Sequence, residues 1–265
     1  MTGEPVILSV SNRKGGSGKS TTVVNLGAEW AARGRRVLVI DLDTQGHAGL
    51  GLGVRAARGE PTAHDVLRDD AFDLAGAIRP TAWEGLACVP ADPLFEGGDP
   101  GDPTRLARAL GRLESRASYD VIVLDTPPSL DSALINALAA AHGVLVPLLP
   151  HALSADGALQ IVRLIFRVAA QTNPSLRLAA LLPITVDLRI THHRAILEDV
   201  RRQFGAGRVL RGIRKDIALA EAFAVGTPAR WHAPRSRGVM DYFLLADELP
   251  HVWRPVAASV SQGAS

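Results

Sequence analysis

The residues best suited to chemistry lie in one short run, Lys14-Gly15-Gly16-Ser17-Gly18-Lys19-Ser20-Thr21, between an apolar pentad and a helical pattern. Three glycines let the backbone curl so that successive N–H groups point inward at a triphosphate. Lys19 can then reach the β and γ phosphates, the Ser20 hydroxyl can ligate Mg2+, and the N-terminus of the following helix adds a favourable dipole. The usual phosphate-loop pattern has a glycine five positions before Gly18, where this chain has Arg13, so the loop is a variant. Lys14 makes the variant informative: Lys19 already supplies the usual phosphate charge, and a second lysine calls for a second role.

Phosphoryl transfer also requires acidic groups that hold the magnesium shell and orient the attacking water. Asp125 follows the apolar run Val121 to Leu124, and Asp41 follows Val37 to Ile40. Both should emerge at the C-terminal edge of a sheet, where open α/β sheets bind ligands. Asp41 and Asp43, two residues apart, point the same way where strand geometry continues. Either aspartate taken alone is as well explained as a strand-end turn or a helix cap. The phosphate loop upstream favours the functional reading.

The elements that must position these groups alternate along the chain. Val6 to Val10 reads as a strand, Thr21 to Ala32 as a helix stopped by Gly34, and Val37 to Ile40 as a buried strand. Helix Thr104 to Ser115, strand Val121 to Leu124, helix Ser132 to Ala141, strand Val144 to Leu148, helix Ala155 to Thr172 and strand Leu178 to Thr185 follow. Continuous apolar strands without alternation are buried on both faces, and right-handed crossovers place helices on each side. The expected fold is therefore α/β, a single doubly wound, mostly parallel sheet with helices on both faces. We expect one domain over residues 1–255, a surface loop at Asp92 to Pro103, and a frayed tail over 256–265.

Composition narrows the class. With 265 residues, 47% hydrophobic and 21% charged, the chain can bury a real core, which excludes disorder, and it holds no apolar run of membrane-spanning length. The single cysteine, Cys88, excludes a disulfide framework. The opening MTGEPVILSVSNRKGG lacks the parts of a secretory signal, so the expected compartment is the cytoplasm. Net charge is +2, but Val186 to Arg237 holds eleven basic and five acidic residues, leaving the remainder at −4. A regional positive field suits a polyanion, and it equally suits a solvated arginine-rich face.

Together these segments resemble the ParA/MinD family of deviant Walker A ATPases, in its ParA (Soj-like) branch, over nearly the whole chain. KGGSGKST resembles the family loop KGGxGK[ST][ST], VLVIDLDTQGHAGLGLG its second motif, and DVIVLDTPPSL its Walker B strand. DIALAEAFAVGTPA and APRSRG resemble its segments NVRLSEAPSFGKPV and DPKSRG. The resemblance implies ATP and Mg2+ as cofactors, held by Lys14, Gly15, Gly16, Ser17, Gly18, Lys19, Ser20, Thr21, Asp41 and Asp125. It implies that Lys14 crosses a homodimer interface to the partner's ATP, which gives the second lysine its role. Lys19 would bind phosphates within its own subunit, Asp43 would orient the hydrolytic water, and Ser20, Asp41 and Asp125 would serve the magnesium.

Family behaviour implies an ATP sandwich dimer that binds DNA non-specifically on the nucleoid. A ParB-like or cargo-adaptor partner would stimulate hydrolysis, and the cycle would position a plasmid, chromosome locus or protein cargo. Arg189, in VDLRITHH, resembles a DNA-contacting arginine; the family's second such arginine falls at Ala218, leaving Arg211, Arg214, Lys215, Arg235 and Arg237 as replacements. Arg235 and Arg237 are equally explained by structural ion pairs. Thr44 stands for a usual proline and His47 for a usual asparagine, and LLPHALSADG departs from the family's CEYYALEG.

Other superfamily members fit less well. HVWRPVAASVSQGAS lacks the basic amphipathic stripe of a membrane-binding terminal helix, so no membrane is expected. One cysteine cannot bridge an iron–sulfur cluster, and about five residues before the first strand leave no room there for a helix-turn-helix. The alternative of a different class is an ATP-gated dimeric scaffold that docks a polysaccharide, secretion or chemoreceptor assembly without binding DNA.

Overall fold

Apolar runs that lack alternating polarity must be covered on both sides, and the central strands of this chain are. The computed structural model describes residues 4–97, 101–113, 118–151 and 154–253. Among them, strands β1 (Val6–Val10), β2 (Val37–Asp41), β3 (Arg79–Pro80), β4 (Leu86–Val89), β5 (Val121–Asp125), β6 (Gly143–Leu148) and β7 (Arg177–Pro183) form one sheet in the order β3-β4-β2-β5-β1-β6-β7. Every neighbouring pair is parallel except β3 with β4. The expected doubly wound, mostly parallel sheet is thus present.

The helices divide between its faces. Helices α1 (Lys19–Ala31), α2 (His47–Gly51), α8 (Ile217–Ala224), α9 (Ala229–His232) and α10 (Arg237–Val252) contribute to one apolar core, with Leu8, Val10, Val37, Val39, Val123 and Leu145 from the sheet. Helices α3 (Asp65–Arg68), α4 (Arg105–Arg112), α5 (Ser132–Ala140), α6 (Ser154–Gln171) and α7 (Thr191–Phe204) contribute to the other, with Ile7, Leu38, Ile40, Ile122, Leu124, Val144 and Val146. Successive residues of one strand therefore enter opposite cores, so both parities are apolar.

The reading from sequence matches at β1, β2, β5 and β6 to within a residue at each end. Gly34 adopts φ 77° after α1, the left-handed stop expected of it. The last predicted strand ends at Pro183, two residues early, because the chain turns at Thr185, the one described non-glycine residue with positive φ (53°). Strands β3 and β4 were not anticipated; they add an edge beside β2, with Cys88 buried in β4. Of the loop expected at Asp92 to Pro103, residues 98–100 lie outside the described residues, and the rest holds no helix or strand. The predicted tail over 256–265 and the end of the predicted helix at Ser115 also lie outside them.

The register decides where chemistry can occur. Val10 pairs with Asp125, and Asp41 pairs with Asp125 from the other side, so β1, β5 and β2 end in one row. The glycine-rich loop leaves β1 at that row. Leu8, fully buried in central β1, anchors it, and Leu8→Ala should cost about 2–5 kcal/mol of unfolding free energy by denaturant titration.

Candidate functional site

The phosphate loop is anchored before it curls. Asn12 donates its side-chain amide to the Pro147 carbonyl of β6 (2.7 Å), and its carbonyl oxygen accepts the Lys14 N–H (3.0 Å). Gly16 and Gly18 take φ 70° and 74°, conformations closed to most side chains. Gly18 is also pressed by a neighbour, since a Cβ there would sit 2.4 Å from Ile184 Cδ1. Helix α1 is gripped from behind: the Thr22 hydroxyl and buried Tyr242 hydroxyl of α10 share a hydrogen bond (3.3 Å), and Asn25 accepts the Ala229 N–H (2.9 Å).

The two lysines of the loop face different environments. Lys19 is buried, and desolvation lowers its pKa against the pull of Asp125 and Asp43. Lys14 is exposed. The cleft at the loop, about 350 Å³, is lined by Gly15 through Thr21 with Asp43, Gln45, His47, Pro128 and Phe223. His47 begins α2 and meets the Phe223 ring edge-on (6.2 Å). Phe223 was not anticipated: a lone aromatic within an alanine-rich helix gives no periodic signal, and it reaches the cleft by packing over Gly51 and Val24.

The carboxylates divide by environment. Both oxygens of Asp125 are buried without a hydrogen-bond partner of ordinary geometry. Burial raises its pKa to about 7, against the opposing influence of the Ser20 hydroxyl and Lys19. Asp41 is pushed well up, first by burial and then by the Asp125 charge. Its two oxygens accept the N–H groups of Asp43 (3.2 Å) and Gly49 (2.9 Å), so it braces the turn that follows β2. Asp43 accepts the Gln45 N–H (3.1 Å) and borders the cleft.

No cluster of three or more His, Cys, Asp or Glu able to hold a metal exists among the described residues. A cation here would complete its shell with phosphate oxygens and water around the hydroxyl and carboxylate oxygens present, the habit of Mg2+. The unpartnered Asp125 oxygens near Ser20 fit that donor set.

The candidate DNA residues are brought near one another on three segments. A bridge between Val186 and Arg214 sets the loop of Arg189 beside that of Arg211, Arg214 and Lys215, and Asp216 accepts the Gly238 N–H (2.7 Å), drawing in Arg235 and Arg237. Arg214 is held by buried Asp241 through several bonds (2.7–3.1 Å), so a phosphate contact from it would compete with that pairing. Arg189 is exposed but chelates Asp187 (2.7 Å), and Arg211 lies 3.9 Å from Glu248. Lys215, Arg235 and Arg237 are exposed with no salt bridge within 4.0 Å among the described residues, and the Arg237 charge helps hold the Asp216 carboxyl down.

Residues 6–178 match the family model of an AAA domain. The chain is similar to the chromosome-partitioning ATPase Soj of Thermus thermophilus, 38% identical over 91% of this chain and 94% of that protein. It is similar to the sporulation initiation inhibitor protein Soj of Bacillus subtilis, at 35% over 92% and 97%. Among solved structures, cobyrinic acid a,c-diamide synthase from Mycobacterium smegmatis with bound ADP and magnesium superimposes with TM-score 0.77 at 33% identity, covering 93% and 95% of the two chains.

The raised Asp125 pKa has a measurable consequence. With a folded value of about 7 against an ordinary 3.8, the folded state binds more protons between those limits. The Asp125 contribution to nucleotide-free stability should therefore fall as pH rises from about 4 to about 7. Asp125→Asn removes that penalty, so its Tm relative to wild type should climb across that window and level off above it; a flat difference would refute the assignment.

Proposed function

Because the chain belongs to the ParA/MinD family of P-loop NTPases, in its Soj-like branch, we propose that it binds ATP with Mg2+, forms an ATP-dependent homodimer and hydrolyses ATP. The dimer would bind DNA without sequence preference and serve the partition or positioning of a cargo in the cytoplasm, on the nucleoid. We read residues 1–255 as one ATPase domain. The observation that carries the reading is the contrast between the two lysines, one buried under the loop and one exposed above it.

The roles we propose follow from that contrast. Lys19, desolvated beside Asp125, answers the phosphates of its own subunit, and Lys14 faces outward, where it can answer those of a second copy. Two triphosphates facing each other repel, so closing a dimer over them needs positive charge from both sides. Backbone N–H groups of Gly15 through Thr21 cradle the phosphates. Mg2+, when bound, would neutralise the β and γ oxygens, and Ser20 and Asp125 would hold it. Asp43 borders the phosphate cleft and would orient the attacking water, with Asp41 fixing the backbone from which it projects.

Lys215, Arg235 and Arg237 supply exposed cations for phosphate contacts, and Arg189 could exchange Asp187 for a DNA phosphate. Such a surface is salt-sensitive and has no base readout, and dimerisation doubles it. A ParB-like or cargo-adaptor partner would stimulate hydrolysis and end the bound state. Among the described residues no helix is long and apolar enough to cross a membrane. The pairing of Arg189 and Arg214 lends weight to a second reading, an ATP-gated dimeric scaffold that docks a partner assembly without DNA.

Two measurements test the proposal, and the second separates its readings. Lys14→Ala should keep ATP binding yet lose the ATP-dependent dimer in sedimentation, and an unchanged dimer removes the role of Lys14 across the interface. Random-sequence duplex DNA should be bound with ATP and Mg2+ but weakly with ADP, with Arg189→Glu lowering the salt slope by about one. Absence of DNA binding in every nucleotide state would leave the scaffold.

A further inference from the structure

One buried histidine outside the phosphate cleft reaches the backbone that carries Asp43. His64, fully buried, lies at the start of α3 on a segment tied down by the Ala63 N–H donating to Pro90 O (2.9 Å) and by Asp65 accepting the Thr62 N–H (2.8 Å). Its Nδ1 accepts the Asp92 N–H at 3.0 Å. A backbone amide can only donate, so Nδ1 is the bare nitrogen and the proton resides on Nε2. That proton points at the Leu42 carbonyl, 3.2 Å away. The ring packs at a tilt of 31° against Phe95 (4.5 Å), which Arg68 covers in turn (5.0 Å).

Leu42 is the residue between Asp41 and Asp43. Its N–H donates to the Asp125 carbonyl (2.9 Å), and the Asp43 N–H donates to Asp41. Those bonds hold the donor side of the turn. The turn borders a cleft of about 240 Å³ that His64 and Phe95 also line, with Pro127, Pro128, Ser129 and Asp131 across it, so packing alone does not fix it. His64 supplies the bond to the Leu42 carbonyl.

We infer that His64 is a positioning residue for Asp43, locking through the Leu42 carbonyl the backbone turn from which that carboxylate meets the hydrolytic water. The inference rests on the proposed role of Asp43. Burial keeps the imidazole neutral by lowering its pKa, so both bonds persist through the neutral range. Loss of the Nε2 bond frees the turn to move, and displacement of a reacting group by about 1 Å can cost about a hundredfold in rate.

Two substitutions divide the ring's functions. Asn presents an acceptor where Nδ1 sits but is too short to reach Leu42, while Gln places its amide donor where Nε2 sits. His64→Asn should lower kcat at saturating ATP by about ten- to a hundredfold, with ATP affinity within about twofold of wild type. His64→Gln should retain at least about ten times the kcat of His64→Asn. Equal kcat values for the two folded variants, or a fall in kcat matched by lost ATP binding, overturn the inference.

In the unmutated protein, imidazole ¹⁵N–¹H correlation should show His64 as the Nε2–H tautomer, and an Nδ1–H tautomer overturns it even if neither variant folds. Asp43→Ala, run in parallel, keeps the two levels separate. Undiminished hydrolysis there removes the role of Asp43 itself, whereas its loss alongside equal Asn and Gln variants removes only that of His64.

Discussion

Two carboxylates buried side by side at the end of three parallel strands set the terms for the rest of this structure. The register that aligns Val10, Asp125 and Asp41 places like charges within one dry row. Such a row is costly unless its members are neutralised, hydrogen-bonded or given a cation. The chain does each of these in part. Asp41 spends both oxygens on backbone N–H groups, and Asp125, left without an ordinary partner, faces Lys19 and Ser20. A site poised in that way favours a ligand that brings Mg2+, so the cost of burying these carboxylates and the affinity for nucleotide have one physical origin.

The surrounding elements work as a frame for that row. Asn12 ties the loop to β6, while Tyr242 and Ala229 hold α1 from behind. Asp41 and His64 secure the turn carrying Asp43 from opposite sides. None of these residues need touch nucleotide. They restrict the backbone so that the groups proposed to touch it would start in place, the source of the rate advantage of positioning.

How much of this was legible in the sequence depends on distance along the chain. Strands buried on both faces are unbroken apolar runs, so β1, β2, β5 and β6 could be read almost to the residue. The phosphate loop is a contiguous motif and was equally readable. Strand β3 has two residues, and β4 reads only as Leu-Ala-Cys-Val behind a turn, too little pattern to separate from a loop. What escaped the reading at the site is non-local: Asp41 is committed to Gly49, Arg214 to an aspartate 27 positions on, and His64 to Leu42 22 positions back. The family resemblance implies a magnesium role for the first and a DNA contact for the second, and only the fold shows which protein groups each one also holds.

The same long-range contacts bear on how nucleotide state could reach the basic face. Ile184 rests on Gly18 of the phosphate loop, and the next residue, Thr185, holds a left-handed conformation that disfavours its side chain. From there the chain passes directly into the Val186 bridge and the loop of Arg189. A second path runs through Thr22 and Tyr242 of α10, whose neighbour Asp241 grips Arg214. The first path begins at the loop and ends at Arg189, and the second begins in the first turn of α1 and ends at the paired Arg214. A shift of the loop on binding triphosphate would therefore be felt at Ile184 and Thr22 together, and a segment already strained at Thr185 is the one with least to lose by moving.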